Sequence, residues 1–340
     1  MAAHSITVTV PATTANLGCA FDCAGIAVSL HLRLSATVSS LAKADVILSE
    51  AKDLSAGSAG APPFGVKGGD LSVTYRGPNA DEIPLDERNL IVKSMRHYAA
   101  RAGKTLPAAS IAIDNEIPLG VGLGSSAAAI VGGITLGAAL CGAKLTPDET
   151  LRLALEIETH PDNLAAAVHG GMVVSAVSPS GEVLVLKTDV SPKLDFVCVI
   201  PDVPLPTEKA RSVLPAQYSR KDVVTNLQRA ALLSAAFFSG KELVPEMFRD
   251  TIHQPYRAPL IPGIAQCLEY RAEGLAGIFL SGAGSAVMAI ATSNAQQIGD
   301  ALVAEFRRAG SSARAVLLKA DNSGTQRNDV QRVPHPLPNS

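Results

Sequence analysis

The segment Pro118-Leu-Gly-Val-Gly-Leu-Gly-Ser-Ser-Ala-Ala constrains the fold of this chain more than any other. Glycines at alternate positions permit a backbone path that residues with a Cβ rarely follow. An alternating strand, Ala109 to Asp114, precedes it, and an uncharged Ala-rich run, Ser125 to Cys141, follows with the composition of a buried helix. A strand, glycine loop and helix in that order turn N–H groups inward beside a partially positive helix end, which makes a cradle for phosphate. Ser125 and Ser126 add hydroxyls where a β-phosphate or a nucleotide's Mg²⁺ would lie. Two common phosphate loops are excluded: the Gly-Lys-Ser/Thr ending of the Walker motif is missing, and no acidic ribose-binding residue follows about 20 residues on. The plain alternative is a tight turn with Ser as the helix cap.

Ile117 to Ala143 carries no charge, and a membrane-spanning helix needs about 20 apolar residues. Alanine and glycine dominate it, however, and they gain little on transfer into lipid, so the segment reads as a buried helix. With 29 Lys+Arg against 31 Asp+Glu, the net charge of -2 gives no electrostatic draw toward nucleic acid or an anionic membrane. A 47% hydrophobic, 18% charged chain of 340 residues has material for a sizeable core. Cys19, Cys23, Cys141, Cys198 and Cys267 are odd in number, and Met1 to Val10 is not an apolar leader. This predicts reduced thiols in a cytoplasmic protein, without a zinc site.

Alternation predicts strands over Ile6 to Val10 and Gly25 to Ser39, and Lys52 to Gly69 reads as a surface loop. Helices are expected over Asn89 to Ala102 and Pro147 to Glu158, the latter opened by Thr146 and Glu149 in a capping box. Strands follow near Met172 to Val177, Val183 to Leu186 and Phe196 to Ile200, then helices from Arg220 to Arg249 and a mixed series from Ala276 to Lys319. The expected class is α+β. The expected division is 1–170, 171–324 and a polar, mobile tail over 325–340.

The glycine loop resembles the phosphate loop of the GHMP kinase superfamily, Pro-x-x-x-Gly-Leu-Gly-Ser-Ser-Ala. Other segments narrow the resemblance to the homoserine kinases: Pro11-Ala-Thr-Thr-Ala-Asn-Leu-Gly-Cys-Ala-Phe-Asp, His160-Pro-Asp-Asn with Gly170-Gly171, and Ser281-Gly-Ala-Gly-Ser. Pro206 to Tyr218 and Gln254-Pro-Tyr-Arg are similar to substrate-side segments of that group. The resemblance runs from about Ile6 to Gly324. It implies a nucleotide-binding N-terminal domain like ribosomal protein S5 domain 2, a ferredoxin-like C-terminal domain, a homodimer, and ATP-dependent phosphorylation of the L-homoserine hydroxyl in threonine biosynthesis.

For a zwitterionic alcohol, Arg211 and Arg257 suit the carboxylate, because guanidinium forks match its geometry. Asn16 and Asp22 can accept from the ammonium, and His160 and Asn163 can orient the remaining polar groups. The resemblance assigns the same positions to substrate. It also implies that Ser126 and Glu158 hold Mg²⁺, with Glu156 as competitor, and that Asp162 and Asn163 serve catalysis. Pro118, Leu119, Gly120, Val121, Gly122, Leu123, Gly124, Ser125, Ser126, Ala127 and Ala128, with Asn89, are expected at the nucleotide.

Three departures from the group's pattern stand out: Cys19-Ala20 in place of a pair ending in Gly, Ser285-Ala286 in place of Pro-Thr/Ser, and Thr159 in place of Gly. The rival readings are a kinase for another small alcohol, such as mevalonate, whose lack of an ammonium leaves Asp22 without a cation, and a catalytically silent nucleotide or amino-acid sensor.

Overall fold

The computed structural model describes residues 4–38 and 70–331. The expected loop over Lys52 to Gly69 and residues 332–340 lie outside them. The chain begins with β1 (His4–Ala15) and β2 (Ala24–Val38), followed by β3 (Leu71–Arg76), α1 (Leu90–Arg101) and β4 (Ala109–Asn115). It continues through α2 (Ser125–Leu140), α3 (Pro147–Leu155), α4 (Pro161–His169), β5 (Met172–Val177) and β6 (Val183–Thr188). Then come β7 (Asp195–Pro201), α5 (Thr207–Ser212), α6 (Arg220–Ser239), α7 (Gln254–Arg257) and α8 (Ile264–Leu268). The last elements are β8 (Leu275–Leu280), β9 (Val287–Ala291), α9 (Ala295–Arg308), β10 (Ala313–Leu318) and β11 (Gln326–Gln331).

Strand alternation sets the first sheet. Leu32, Leu34 and Ala36 of β2 are buried while Arg33, Ser35 and Thr37 are not, and Ile6, Val8 and Val10 of β1 share the buried face. Among the described residues the sheet has seven strands, ordered β11-β1-β2-β4-β3, with β5 paired to β2 and β6 paired to β5. β1 shifts register between Pro11 and Ala12, and from there to Ala15 every residue is buried. Past that bulge the strand runs beneath the second half of the chain.

The Ala-rich segment expected as a buried helix is α2, held close to α1 by small residues. A Cβ added at Gly133 would stand 2.5 Å from the Ile91 carbonyl oxygen, and one at Gly137 would stand 2.9 Å from backbone atoms of Met95. The Thr146–Glu149 capping box opens α3 as expected. That helix ends at Leu155, not Glu158, because the turn tightens: the N–H groups of Glu156 and Ile157 donate to carbonyls three residues back.

The second sheet is antiparallel in the order β10-β7-β9-β8. Taken in chain order these strands stack 4-1-3-2, with α5 to α8 crossing between the first two and α9 between the last two, the arrangement expected of a ferredoxin-like domain. Val197, Val199, Val287 and Ala289 face Ile298, Leu302 and Phe306 of α9, while Phe196, Cys198, Met288 and Ile290 join the core of the first half.

Two expectations about the division of the chain differ from the structure. The boundary at 170/171 does not follow the sheets, since β5 and β6 beyond it belong to the first sheet. Residues 326–331, expected in a tail, form β11, antiparallel to β1 from Thr9↔Gln326 to His4↔Gln331. Their polar run hides a strand because backbone pairing with the open edge of β1, not side-chain burial, selects it. Among the described residues, no helix is long and apolar enough to cross a membrane.

Candidate active site

The glycine loop leads directly into α2. Gly120, Gly122 and Gly124 have φ of 69°, 85° and 68°, the left-handed region. Gly124 is the N-cap of α2 and brings no side chain to occupy the first helical N–H groups, which stay available to an anion. A Cβ at Gly124 would lie 1.9 Å from Thr13 Oγ1, and one at Gly122 would lie 2.1 Å from the Ser281 carbonyl oxygen. The loop is therefore fitted between β1 and the 281–286 loop. Ser281 Oγ donates to the Gly122 carbonyl at 2.7 Å, and the Ala286 N–H donates to the Val121 carbonyl at 3.0 Å.

A cavity of about 200 Å³ opens between the two halves. Its wall contains Pro118, Gly120, Gly122, Leu123, Gly124, Ser125, Ser126 and Ala127 from the loop side. Asn16, Asp22, Glu158, His160, Asp162, Asn163, Arg211 and Arg257 line the same space.

Among the charged residues of the cavity, Asp22 and Arg211 form a two-pronged pair: Nη2 donates to Oδ1 at 3.0 Å and Nη1 to Oδ2 at 3.3 Å. Arg211 Nε is buried and meets no hydrogen-bond partner among the described residues. Arg257 is almost wholly buried, with Nε donating to the Ala210 carbonyl at 3.0 Å and Nη1 to the Gly282 carbonyl at 3.2 Å. Burial, aided by the nearby Arg211 charge, brings its pKa down to about 10, so it stays cationic at neutral pH. Asn16 donates to the Gly282 carbonyl at 2.7 Å and accepts from the Asp22 N–H at 2.9 Å. Its amide shapes the loop and leaves one oxygen lone pair for a ligand.

Neither Cys19 nor Ala20 has a positive φ, so the backbone does not call for glycine at that pair, although its neighbours are unusual. Asn16, Leu17, Gly18 and Asp22 all have positive φ, at 71°, 39°, 73° and 56°, and such geometry in non-glycine residues gathers at functional sites.

Near the phosphate loop, Thr13 Oγ1 donates to Asn163 Oδ1 at 2.8 Å, while the Asn163 N–H donates to Asp162 Oδ1 at 2.7 Å. Burial, reinforced by the Asp22 charge, pushes the Asp162 carboxyl up to about 6 against the pull of that N–H. His160 Nδ1 lies 2.5 Å from Glu158 Oε1. Ser126 and Glu158 offer oxygen donors to one cavity, a partial shell that suits Mg²⁺ when phosphate oxygens and water complete it. The competing Glu156 faces elsewhere, paired with His97 at 2.9 Å and Arg101 at 3.0 Å.

Four residues expected at the nucleotide do not reach the cavity wall. Asn89 caps α1, accepting from the Ile91 N–H at 2.9 Å and donating to the Pro84 carbonyl at 2.8 Å. Its amide is committed to the helix end, contrary to its expected place at the nucleotide. Val121 and Ala128 point into the core, and Leu119 is half-buried outside the cavity. Conversely, Leu205, Thr207, Gly282, Ala283 and Gly284 line it without having been assigned there. The last three lie in the Ser281-Gly-Ala-Gly-Ser motif, which was the available signal. Thr13 sits in the N-terminal motif beside the assigned Asn16.

Comparison with known proteins identifies the family. The family model for the GHMP kinase N-terminal domain matches residues 89–171, and that for the GHMP kinase C-terminal domain matches residues 229–308. The homoserine kinase of Desulfitobacterium hafniense is 36% identical, covering 94% of this chain and 98% of that relative. That of Solibacter usitatus is 38% identical over 82% of this chain and 83% of its own length. Among solved structures, homoserine kinase from Cytophaga hutchinsonii superposes with a TM-score of 0.77 at 27% identity, covering 95% of this chain and 97% of that one.

Proposed function

The chain belongs to the homoserine kinases of the GHMP kinase superfamily, and on that premise we propose that it transfers the γ-phosphoryl group of ATP to the side-chain hydroxyl of L-homoserine. The products are O-phospho-L-homoserine, for threonine biosynthesis, and ADP. What supports this reading is that the glycine loop lines one cavity together with Asp22, Arg211, Arg257, Asp162 and Asn163.

The open N–H groups at the start of α2 and the Ser125 and Ser126 hydroxyls hold nucleotide phosphates. Arg257 and the unpartnered Arg211 Nε take the α-carboxylate, and Asp22, with the remaining lone pair of Asn16, takes the ammonium. Thr13 donates to Asn163 Oδ1 and one Asn163 amide N–H donates to Asp162 Oδ1 at 3.3 Å, which leaves the other N–H to orient the acceptor oxygen. Asp162, once ionised, accepts the hydroxyl proton. Phosphoryl transfer depends chiefly on alignment and charge stabilisation, and these groups supply the alignment. Mg²⁺ held by Ser126 and Glu158 would supply charge neutralisation at the phosphates. The five unpaired cysteines suit a reducing cytoplasm, and a homodimer is expected from the family pattern.

The reading is tested by ADP release with Mg-ATP and L-homoserine, mevalonate or shikimate side by side, with mass spectrometry of the product. Strong turnover on homoserine alone is expected. Turnover on another alcohol in its place overturns the substrate, and inert acceptors with retained ATP binding point to a sensor. Glu158→Gln is expected to lower turnover and raise the Mg²⁺ concentration needed for half-maximal rate; an unchanged Mg²⁺ dependence removes Glu158 from the metal.

A further inference from the structure

We propose that His253 is a positioning residue for the acceptor's α-carboxylate: its imidazole fastens the Arg257 guanidinium to the loop carrying Asn16 and Asp22, holding the carboxylate and ammonium receptors at one fixed spacing. The inference rests on the reading of the acceptor as a zwitterionic amino acid.

His253 is fully buried immediately before α7 and is absent from the cavity wall, so it acts only through its neighbours. Its Nε2 lies 2.8 Å from the Gly18 carbonyl, which can only accept, so the proton sits on Nε2. Nδ1 is then an acceptor, and Arg257 Nη1 donates to it at 3.2 Å. The two ring nitrogens thus join the arginine to the Gly18 turn, four residues before Asp22. The ring also stacks on Phe21, centroids 5.0 Å apart, and Phe21 lies beneath both guanidinium groups, at 5.1 Å from Arg257 and 5.9 Å from Arg211. Asp250 fixes the backbone, its Oδ2 accepting from the His253 N–H at 2.8 Å and the Gln254 N–H at 2.6 Å. Burial lowers the imidazole pKa and the Arg257 charge adds to this, outweighing Asp250, so the ring stays neutral and keeps the lone pair that Arg257 needs.

The experiment is steady-state kinetics of the full chain as His253→Leu, His253→Asn, His253→Gln, Arg257→Ala and the His253→Leu/Arg257→Ala double variant. His253→Leu is expected to raise the homoserine KM at least about tenfold while kcat at saturating homoserine and the ATP KM stay within about threefold. Because His253 acts through Arg257, the double variant is expected to be little worse than Arg257→Ala alone. Asn places an amide oxygen near the Nδ1 position and Gln an amide N–H near Nε2, so Asn is expected to recover more homoserine affinity than Gln.

An unchanged homoserine KM in His253→Leu, full additivity with Arg257→Ala, or better recovery by Gln than by Asn overturns the proposal. If the leucine variant does not fold, the Asn and Gln pair decides between these outcomes. A wild-type enzyme inert toward homoserine overturns the substrate reading itself; an active wild type with an indifferent His253 overturns this inference alone.

Discussion

Asp22 and Arg211 are bonded to each other through the Arg211 Nη atoms, so the groups that meet the ammonium and the carboxylate are held together as one ion pair. Removing either partner leaves the other unmatched as well as depriving the substrate. Asp22→Asn and Arg211→Ala are each expected to raise the homoserine KM at least about tenfold, since a charge-assisted hydrogen bond is worth about 1.5 to 3 kcal/mol; unchanged KM in both variants removes the pair from the site. Asp162 carries a second prediction. Its carboxyl, raised to about 6 by burial, has to be ionised to accept a proton, so kcat/KM for homoserine is expected to fall as pH drops through about 6 and Asp162→Asn to lose most activity at pH 8. The sign for stability is the reverse: a raised folded pKa favours the protonated carboxyl, a contribution present below its ordinary value of 3.8 and lost as pH rises through about 6. Asp162→Asn is therefore expected to melt higher than the wild type at pH 8, measured by calorimetry. A variant within about threefold of wild-type kcat/KM at pH 8 removes Asp162 as base. The identity of these residues was legible from the motifs, but their pairing was not: Asp22 and Arg211 are 189 positions apart, and no local pattern reports which charges meet. His253 was missed for the same reason, since its partners are a distant carbonyl and an arginine one turn on.

At the scale of elements, the phosphate loop is a turn whose last two alternate glycines, Gly122 and Gly124, are enforced by neighbours and whose first, Gly120, is not. Among the described residues, nothing lies within 4 Å of a Cβ at Gly120, so Gly120→Ala meets only the left-handed backbone penalty of about 1–2 kcal/mol. Gly124→Ala adds a collision with Thr13 and is expected to weaken nucleotide binding at least about a hundredfold, with a lower Tm than Gly120→Ala. Calorimetric titration with Mg-ATP compares them, and equal affinities would show that the loop can move away from β1. The strands and helices with strong periodicity were readable because burial of one face selects them, as in β2 and the capped α3. Asn89 shows the limit of that reading: its position at a helix start was legible, and the cap uses up the amide that the nucleotide was expected to meet.

At the scale of the whole molecule, the second half grips the first through backbone at the site itself. The Gly282 N–H donates to the Ala15 carbonyl at 3.1 Å, and Leu205 and Ala286 donate to the Gly120 and Val121 carbonyls at 3.4 and 3.0 Å. The cradle's shape therefore depends on both halves being folded. β11 was illegible because its polar residues carry no alternation, and only the free edge of β1 identifies them. A chain stopped after Gly324 exposes that edge, which is a template for pairing with another chain; it is expected to aggregate on expression while the full chain stays in solution, as centrifugation of the lysate would show. An equally dispersed truncated chain makes β11 dispensable. The same strand reverses the order of synthesis and completion. The nucleotide half is made first by the ribosome, yet its sheet receives its outer strand only after residues 326–331 have left the exit tunnel, so the β1 edge that β11 covers stays open through most of translation.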